Sequence, residues 1–304
     1  MYMLVEQAMN GLQYSALLFL LSAGLTLIFG IMNVVNLAHG SFYMVGAFCA
    51  AMAVAATGSF TVAILAAVVG AGLYGLIVER LVISRLYHRE HLDHVLATLG
   101  VLLFTNALVT MVFGRSPPFV AIPPMFSGSV PILPGLNYPV MRLAFIGAGV
   151  LVAVGMWFLI SKTKVGMLVR AGADDSETVE ALGVNIRRLF MLVFALGALL
   201  CGFAGVMAAP LLAVEIGMGE KVLITTFVVI VVGGVGSVRG ALLGSLLVGI
   251  TDTIGRAYIP IWMSHLLPPQ YSDSVSSSLV SASIYILMAI VLLVKPRGLI
   301  PAQR

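Results

Sequence analysis

The sequence predicts an all-α protein, a polytopic transmembrane bundle of about eight or nine spans, and three observations carry that prediction. The first is composition. The 304 residues are 61% hydrophobic and only 9% charged, with a mean hydropathy of +1.11, whereas soluble domains carry roughly 25% charged residues. The second is an uncharged interval: between Glu6 and Glu79 there is no Asp, Glu, Lys or Arg. About 20 apolar residues cross the hydrocarbon core, so this interval alone holds about three crossings. The third is where the charges fall. Apolar runs near 7–30, 36–56, 60–83, 94–114, 139–160, 188–210, 220–234, 240–258 and 275–294 are separated by polar or Pro/Gly-rich joints. With the amino terminus outside, cytoplasmic joints hold Arg80, Arg85, Arg89, Lys162, Lys164, Arg170, Arg187, Arg188, Arg239, Lys295, Arg297 and Arg304, which is twelve of the sixteen basic residues. That bias is the positive-inside rule. Arg115, Arg142, Lys221 and Arg256 are the exceptions, and the last three sit at span ends where long side chains reach the interface.

The same features exclude other classes. A net charge of +4 and a pI near 9.2 could suggest nucleic acid, but the basic residues are scattered through short joints and form no dense patch. Cys49 and Cys201 each lie in an apolar run and match no metal or redox spacing, so they read as small hydrophobes. The start lacks a basic n-region and cleavage site, so residue 1 onward is expected to be mature sequence. Gly70-Ala-Gly-Leu-Tyr-Gly75 spells G-x-G-x-x-G inside an apolar run, without the strand and acidic residue of a dinucleotide site. No P-loop, nucleophile elbow, zinc-binding helix or pair of intramembrane carboxylates occurs. Enzymatic chemistry has little to stand on.

Along the chain, the first polar interruption is Asn33-Val-Val-Asn36-Leu-Ala-His39-Gly-Ser41-Phe-Tyr43. A carboxamide in hydrocarbon without partners costs a few kcal/mol, so this segment should face protein, water or cargo. It reads either as a tight turn joining two helices at the cytoplasmic side or as a broken segment that puts the cluster deep in the bundle. His39 could bind a metal, shuttle a proton or make a structural hydrogen bond; with no second His or Cys at ligand spacing, the structural bond is preferred. The connection 115–138 has prolines at 117, 118, 123, 124, 131 and 134, which predicts an extended, stiff outer loop and not a further crossing.

The inner connection 161–187 contains Asp174-Asp-Ser-Glu177-Thr-Val-Glu180-Ala181-Leu182-Gly183. Asp174 with Glu177 looks like a capping box, the acids favour the positive end of a helix dipole, and Gly183 is a natural stop. A helix of about two turns follows, too short to stand alone in water. It is held by packing, either onto the membrane domain or into another protein; Val179 and Leu182 are expected to share one face. A second glycine-punctuated stretch, Gly233-Gly234-Val-Gly236-Ser237-Val-Arg239-Gly240, again puts a basic or titratable residue before a glycine ahead of an apolar helix, like His39-Gly40. Gly236, Gly240 and Gly244 form a small-residue ridge suited to close helix packing. Asp252, the only carboxylate well inside a late span, has Arg256 four residues on, which favours a local ion pair.

Three stretches, G-L-T-L-I-F-G-I-M-N-V-V-N-L-A-H-G-S-F-Y-M-V-G-A-F, G-G-V-G-S-V-R-G-A-L-L-G and the terminal K-P-R-G-L-I, together with the E-A-L-G-V-N loop, resemble the branched-chain amino acid permeases of the LivH/LivM type. The similarity covers almost the whole chain and is nearer the LivH half of that family. It implies a single permease domain, 1–304, with a type II-like ABC importer fold, working in the bacterial inner membrane. It implies as partners a second, LivM-like permease subunit, two LivG/LivF-like ATPase subunits and a periplasmic substrate-binding protein, with lipid around the bundle and no nucleic acid. This chain would hold no cofactor; ATP and Mg would sit on the ATPases. Coupling to them falls on Asp174, Glu177, Glu180, Ala181, Leu182 and Gly183. Leu182 stands where many such importers have a second alanine, and Gly183 follows directly. The expected substrate pathway is Asn33, Asn36, His39, Ser41 and Tyr43 with Gly234, Gly236 and Ser237. An apolar passage suits aliphatic amino acids and would also pass urea, short amides or aromatic acids. A self-sufficient ion-coupled carrier is the reading from a different class; such carriers hold mid-membrane charges, and only Asp252 is on offer here.

Overall fold

The computed structural model describes residues 2–87, 89–114, 116 and 118–301; Arg115, Pro117 and Arg304, named above, lie outside them. In chain order the helices are α1 (Tyr2–Met32), α2 (His39–Thr57), α3 (Phe60–Leu81), α4 (His91–Phe113), α5 (Val140–Lys162), α6 (Lys164–Asp174), α7 (Ser176–Ala181), α8 (Ile186–Ala208), α9 (Met218–Gly233), α10 (Val238–Leu266) and α11 (Pro269–Val294). Eight of these are long and apolar enough to cross a bilayer; α9, at 16 residues, is not among them. Apolar side chains around the whole circumference of α1 make it the central post, with Leu17, Leu18, Leu20, Leu25 and Ile28 fully buried. It packs against α5, α8, α9 and α10.

Lipid tails give helices no hydrophobic reason to associate, so close approach through small residues does much of the packing. Gly24 of α1 sits on Gly197 of α8, and Gly46 of α2 on Gly202; a Cβ built on Gly46 would come within 2.5 Å of the Gly202 backbone. The literal dinucleotide motif in α3 is likewise packing surface. Gly72 abuts Leu199 and Gly75 abuts Ala198.

Two interruptions shape the bundle. After Met32 the chain does not turn straight into α2: His39 Nε2 lies 3.0 Å from the carbonyl oxygen of Leu21, eleven residues before the end of α1, or about 16 Å at the helical rise. Residues 33–38 therefore run back along α1 and α2 begins deep in the bundle, which decides between the two readings of this segment in favour of the broken one. Backbone at such depth must find protein partners. Thr98 of α4 accepts from Leu37 N at 3.1 Å and reaches Val35 O at 3.4 Å, while Asn36 Oδ1 accepts from Ala38 N at 3.0 Å. The second interruption, 209–217, separates α8 from α9, and Gly219 at the start of α9 meets Gly40 at the start of α2. Here α4 again supplies the support, with Asn106 donating to Glu220.

The outer connection is extended and makes no further crossing, as expected, but part of it is paired. It holds a two-stranded antiparallel hairpin, β1 (Ser129–Leu133) and β2 (Leu136–Pro139), turning at Gly135 with φ +87°. In a two-stranded ribbon both strands are edges, so Pro131 and Pro139 are tolerated and do not argue against strands as they would in a wide sheet. Tyr138 donates to Asn10 Oδ1 at 3.1 Å and ties the hairpin to α1.

The inner connection also differs. Instead of one helix capped by Asp174, it contains two, and the cap of the second is Asp175, which accepts from Glu177 N at 3.1 Å and Thr178 N at 3.0 Å. Asp174 ends α6. The helix α6 was hidden by its glycines, which sit where backbone approaches: a Cβ on Gly166 would strike the carbonyls of Leu159 and Ile160. Thr163 caps this turn through Gly166 N at 3.1 Å. Because α7 ends at Ala181, Leu182 swings out of the helical register: Val179 is 7% exposed and Leu182 is 78% exposed, so the two do not share a face.

Candidate translocation groove and coupling helices

A groove of about 1420 Å³ runs along α1, walled by α5 on one side and α10 on the other, and reaches α6 and the chain end at 299–301. Its wall is largely apolar, with Leu12, Phe19, Ile146 and Trp157, interrupted by the hydroxyl residues Ser15, Thr26 and Ser245. Its lower end, by the loop helices, carries Asn33, Arg170, Asp174 and Arg239. Asn33 holds φ at +51°, the only non-glycine with positive φ among the described residues. Asparagine tolerates that conformation better than most side chains. It lets the chain leave α1 sharply, beside the close contact of Gly30 with Gly236.

The residues expected to line a pathway divide into two groups. Asn33, Gly236 and Ser237 come together on the groove wall. Asn36, His39, Ser41 and Tyr43 are buried, at 0 to 3% exposure, on the other side of α1, where α2 meets α8 and α9. There His39 Nε2 lies 3.0 Å from both Leu21 O and Cys201 Sγ, and Asn36 caps the break. Asn36 holds the unwound backbone and His39 ties the start of α2 to α1, while the hydroxyls of Ser41 and Tyr43 are buried without a partner. Gly234, with φ +110°, packs against Arg297 and Ile300. The terminal residues bond to the end of α9, with Leu299 N donating to Val232 O and Ile300 N to Gly233 O, each at 2.9 Å. Ser15, Thr26, Ser245 and the inner face of α5 were not singled out from sequence. A lone hydroxyl residue in an apolar run carries no periodic signal, although Ser15, Ser22 and Thr26 falling on one helix was the hint available.

Of the expected coupling residues, Glu177, Glu180, Ala181, Leu182 and Gly183 are exposed while Val179 plugs α7 into the body. Asp174 is exposed and also borders the groove. Hydrogen bonds from the hydroxyl and amide of Thr178 hold the Asp175 carboxyl below its ordinary range. The adjoining α6 packs on the lower ends of α1 and α8: Gly172 is nearest to Leu189, Ile31 and Ile186. Those are the two helices that lead into the interruptions. The loop helix α6 thus bridges the inner ends of α1 and α8. Asp252 and Arg256 form the expected pair, bidentate at 2.7 and 3.0 Å.

A bundle of eight membrane-crossing helices with two broken passages, a long groove and exposed loop helices defines a polytopic transport protein. The match to a family model for the branched-chain amino acid transport system permease component spans residues 7–294, and the chain belongs to that family. It is 28% identical to the high-affinity branched-chain amino acid transport system permease protein LivH of Escherichia coli, over 97% of this chain and 95% of that one. It is 27% identical to the BraD permease protein of Pseudomonas aeruginosa, over 98% and 96%, and 25% identical over 81% and 79% to a probable LivH of Methanocaldococcus jannaschii. These relatives are transport permeases, not enzymes.

Proposed function

We propose that this chain is one membrane-spanning subunit of an ATP-driven importer of branched-chain amino acids in the bacterial inner membrane. It works beside a related second permease subunit, on two ATPase subunits that hold ATP and Mg, and receives cargo from a periplasmic binding protein. The groove along α1 is its share of the pathway, closed on the open side by the second permease. The hairpin end faces the binding protein, and the exposed residues Glu177, Glu180 and Leu182 meet an ATPase.

The observation that carries this reading is the contact of α6 with Ile31 of α1, beside the 33–38 break, and with Ile186 and Leu189 at the start of α8, which gives an external motor a short mechanical route to the first broken passage and a hold on the helix that leads to the second. The relatives' branched-chain amino acid transport, together with the largely apolar wall of the groove, supports aliphatic cargo over urea, amides or aromatic acids. The test is uptake of labelled leucine into proteoliposomes holding the chain with the second permease, both ATPases and the binding protein. Uptake that requires ATP and every subunit is expected. Uptake by this chain alone, driven by an ion gradient without ATP, would make it a self-sufficient carrier and end the proposal.

A further inference from the structure

We propose that Thr26 is the specificity residue of the groove, its hydroxyl holding the charged head of the amino acid while the apolar wall takes the aliphatic tail. The inference deepens the transport reading above and rests on it. A threonine inside a helix ordinarily bonds its hydroxyl to the carbonyl one turn back. Thr98, Thr105, Thr110 and Thr226 all do so here, at 2.6 to 2.8 Å. Ser15 and Ser245, on the same groove wall, are likewise bonded to Gly11 O at 2.7 Å and Leu242 O at 2.8 Å. Thr26 is different: it is fully buried, its Oγ1 has no partner, and it belongs to the groove wall.

A buried hydroxyl without a partner is costly to keep, and valine would fill the same volume without the cost. Its retention in a wall otherwise formed by groups such as Phe19 and Leu27 is explained by a partner that arrives with the cargo. One hydroxyl can donate to a carboxylate and accept from an ammonium, and an α-amino acid carries both beside its apolar side chain. Asn33, just beyond the end of α1, lines the same groove as Thr26, so the head can be passed from the hydroxyl to the carboxamide as the cargo descends. In this conformation the hydroxyl is closed off, and the movement of α1 that the loop helices drive would uncover it.

The experiment compares wild type, Thr26→Val and Thr26→Ser in the fully assembled complex, reading ATP-dependent leucine uptake and the thermal midpoint of each complex. Losing one hydrogen bond to a charged head should lower uptake by about tenfold in Thr26→Val, with Thr26→Ser near wild type. The midpoint of Thr26→Val should be unchanged or higher, since an unpaired hydroxyl has gone; a purely structural role could not separate the readouts in that direction. Uptake by Thr26→Val equal to wild type would overturn the assignment alone, as would a lowered midpoint that tracks lowered uptake. Wild-type complexes that import no leucine would overturn the transport reading and this inference together.

Discussion

Gly40 and Gly219 place the first turns of α2 and α9 in direct backbone contact, so that a Cβ on either would overlap the carbonyl of the other. Neither glycine has a positive φ, and both are required for approach, not for conformation. Two short passages thereby meet end to end in the interior, each supported from the side by α4. Gly40→Ala or Gly219→Ala should force the pair apart and destabilise the protein by roughly 1–3 kcal/mol, the usual cost of overpacking. A drop of several degrees in the detergent melting midpoint is the expected readout, and an unchanged midpoint would mean the contact is slack.

The unwound segment 33–38 depends on borrowed partners. Thr98→Val removes the acceptor for Leu37 N and keeps the shape, so the loss should be near 1–3 kcal/mol, the cost of stranding a buried amide. Asn36→Ala strands the buried Ala38 amide and should likewise cost about 1–3 kcal/mol. Both are read by thermal unfolding of purified protein, and a variant as stable as wild type would show that water serves these groups equally well.

The α7 cap is a pH-dependent feature. The folded Asp175 carboxyl is held below its ordinary range by Thr178, so its contribution is complete above the unfolded pKa and is lost as pH falls through the folded one. That window lies at and below about pH 4. Amide exchange in 176–181 should accelerate there in wild type, while Asp175→Asn, which keeps an acceptor but cannot titrate, should show no such acid-dependent step. Identical acid profiles for the two proteins would remove Asp175 from the account.

Glu180 and Leu182 are exposed at the tip of the loop helices. Glu180→Lys should leave expression and the melting midpoint unchanged, because the side chain packs on nothing in this chain. In the assembled complex it should abolish stimulation of ATPase activity by the loaded binding protein. Stimulation that persists at wild-type level would place the motor contact elsewhere.

Burying Asp252 is tolerable because Arg256 chelates it from one turn away. Arg256→Ala leaves a nearly buried carboxylate without its partly exposed partner and should cost about 1–3 kcal/mol. Asp252→Asn in the same protein should recover most of that loss, and failure of the second change to restore the midpoint would argue against a pairing role.

Much of the bundle was legible because a bilayer imposes simple arithmetic: uncharged runs of the right length are helices, and basic joints mark one side. The Asp252–Arg256 pair and the packing of Gly240 and Gly244 against α9 followed from spacing, while Gly236, expected on the same ridge, precedes α10 with φ +80° and meets Gly30 of α1. What escaped were features set by three-dimensional company. The helix α6 had not been expected, and its glycines Gly166 and Gly172 are contact points against α5, α1 and α8. Pro131 looked hostile to strands but sits in a ribbon with only edges. Asn36 and His39 were conspicuous as polar residues in an apolar run, yet their partners, Ala38 N, Leu21 O and Cys201, are fixed by folding and send them away from the groove. Thr26 was inconspicuous for the opposite reason. One hydroxyl gives no pattern, and what distinguishes it is an unbonded hydroxyl on a residue of the groove wall, whereas Ser41 and Tyr43, also unbonded, lie away from the groove.

The bonds from Leu299 and Ile300 to the end of α9 have a bearing on biogenesis. The carbonyls of Val232 and Gly233 leave the ribosome more than sixty residues before the amides that satisfy them. Until α10 and α11 have been threaded and the final segment has emerged, the shortest passage of the bundle has a ragged end that only solvent or a chaperone can dress. Pairing of residues 299 and 300 is thus a closing stitch for α9, and a nascent chain stalled short of it would present quality-control proteases with a recognisable loose thread.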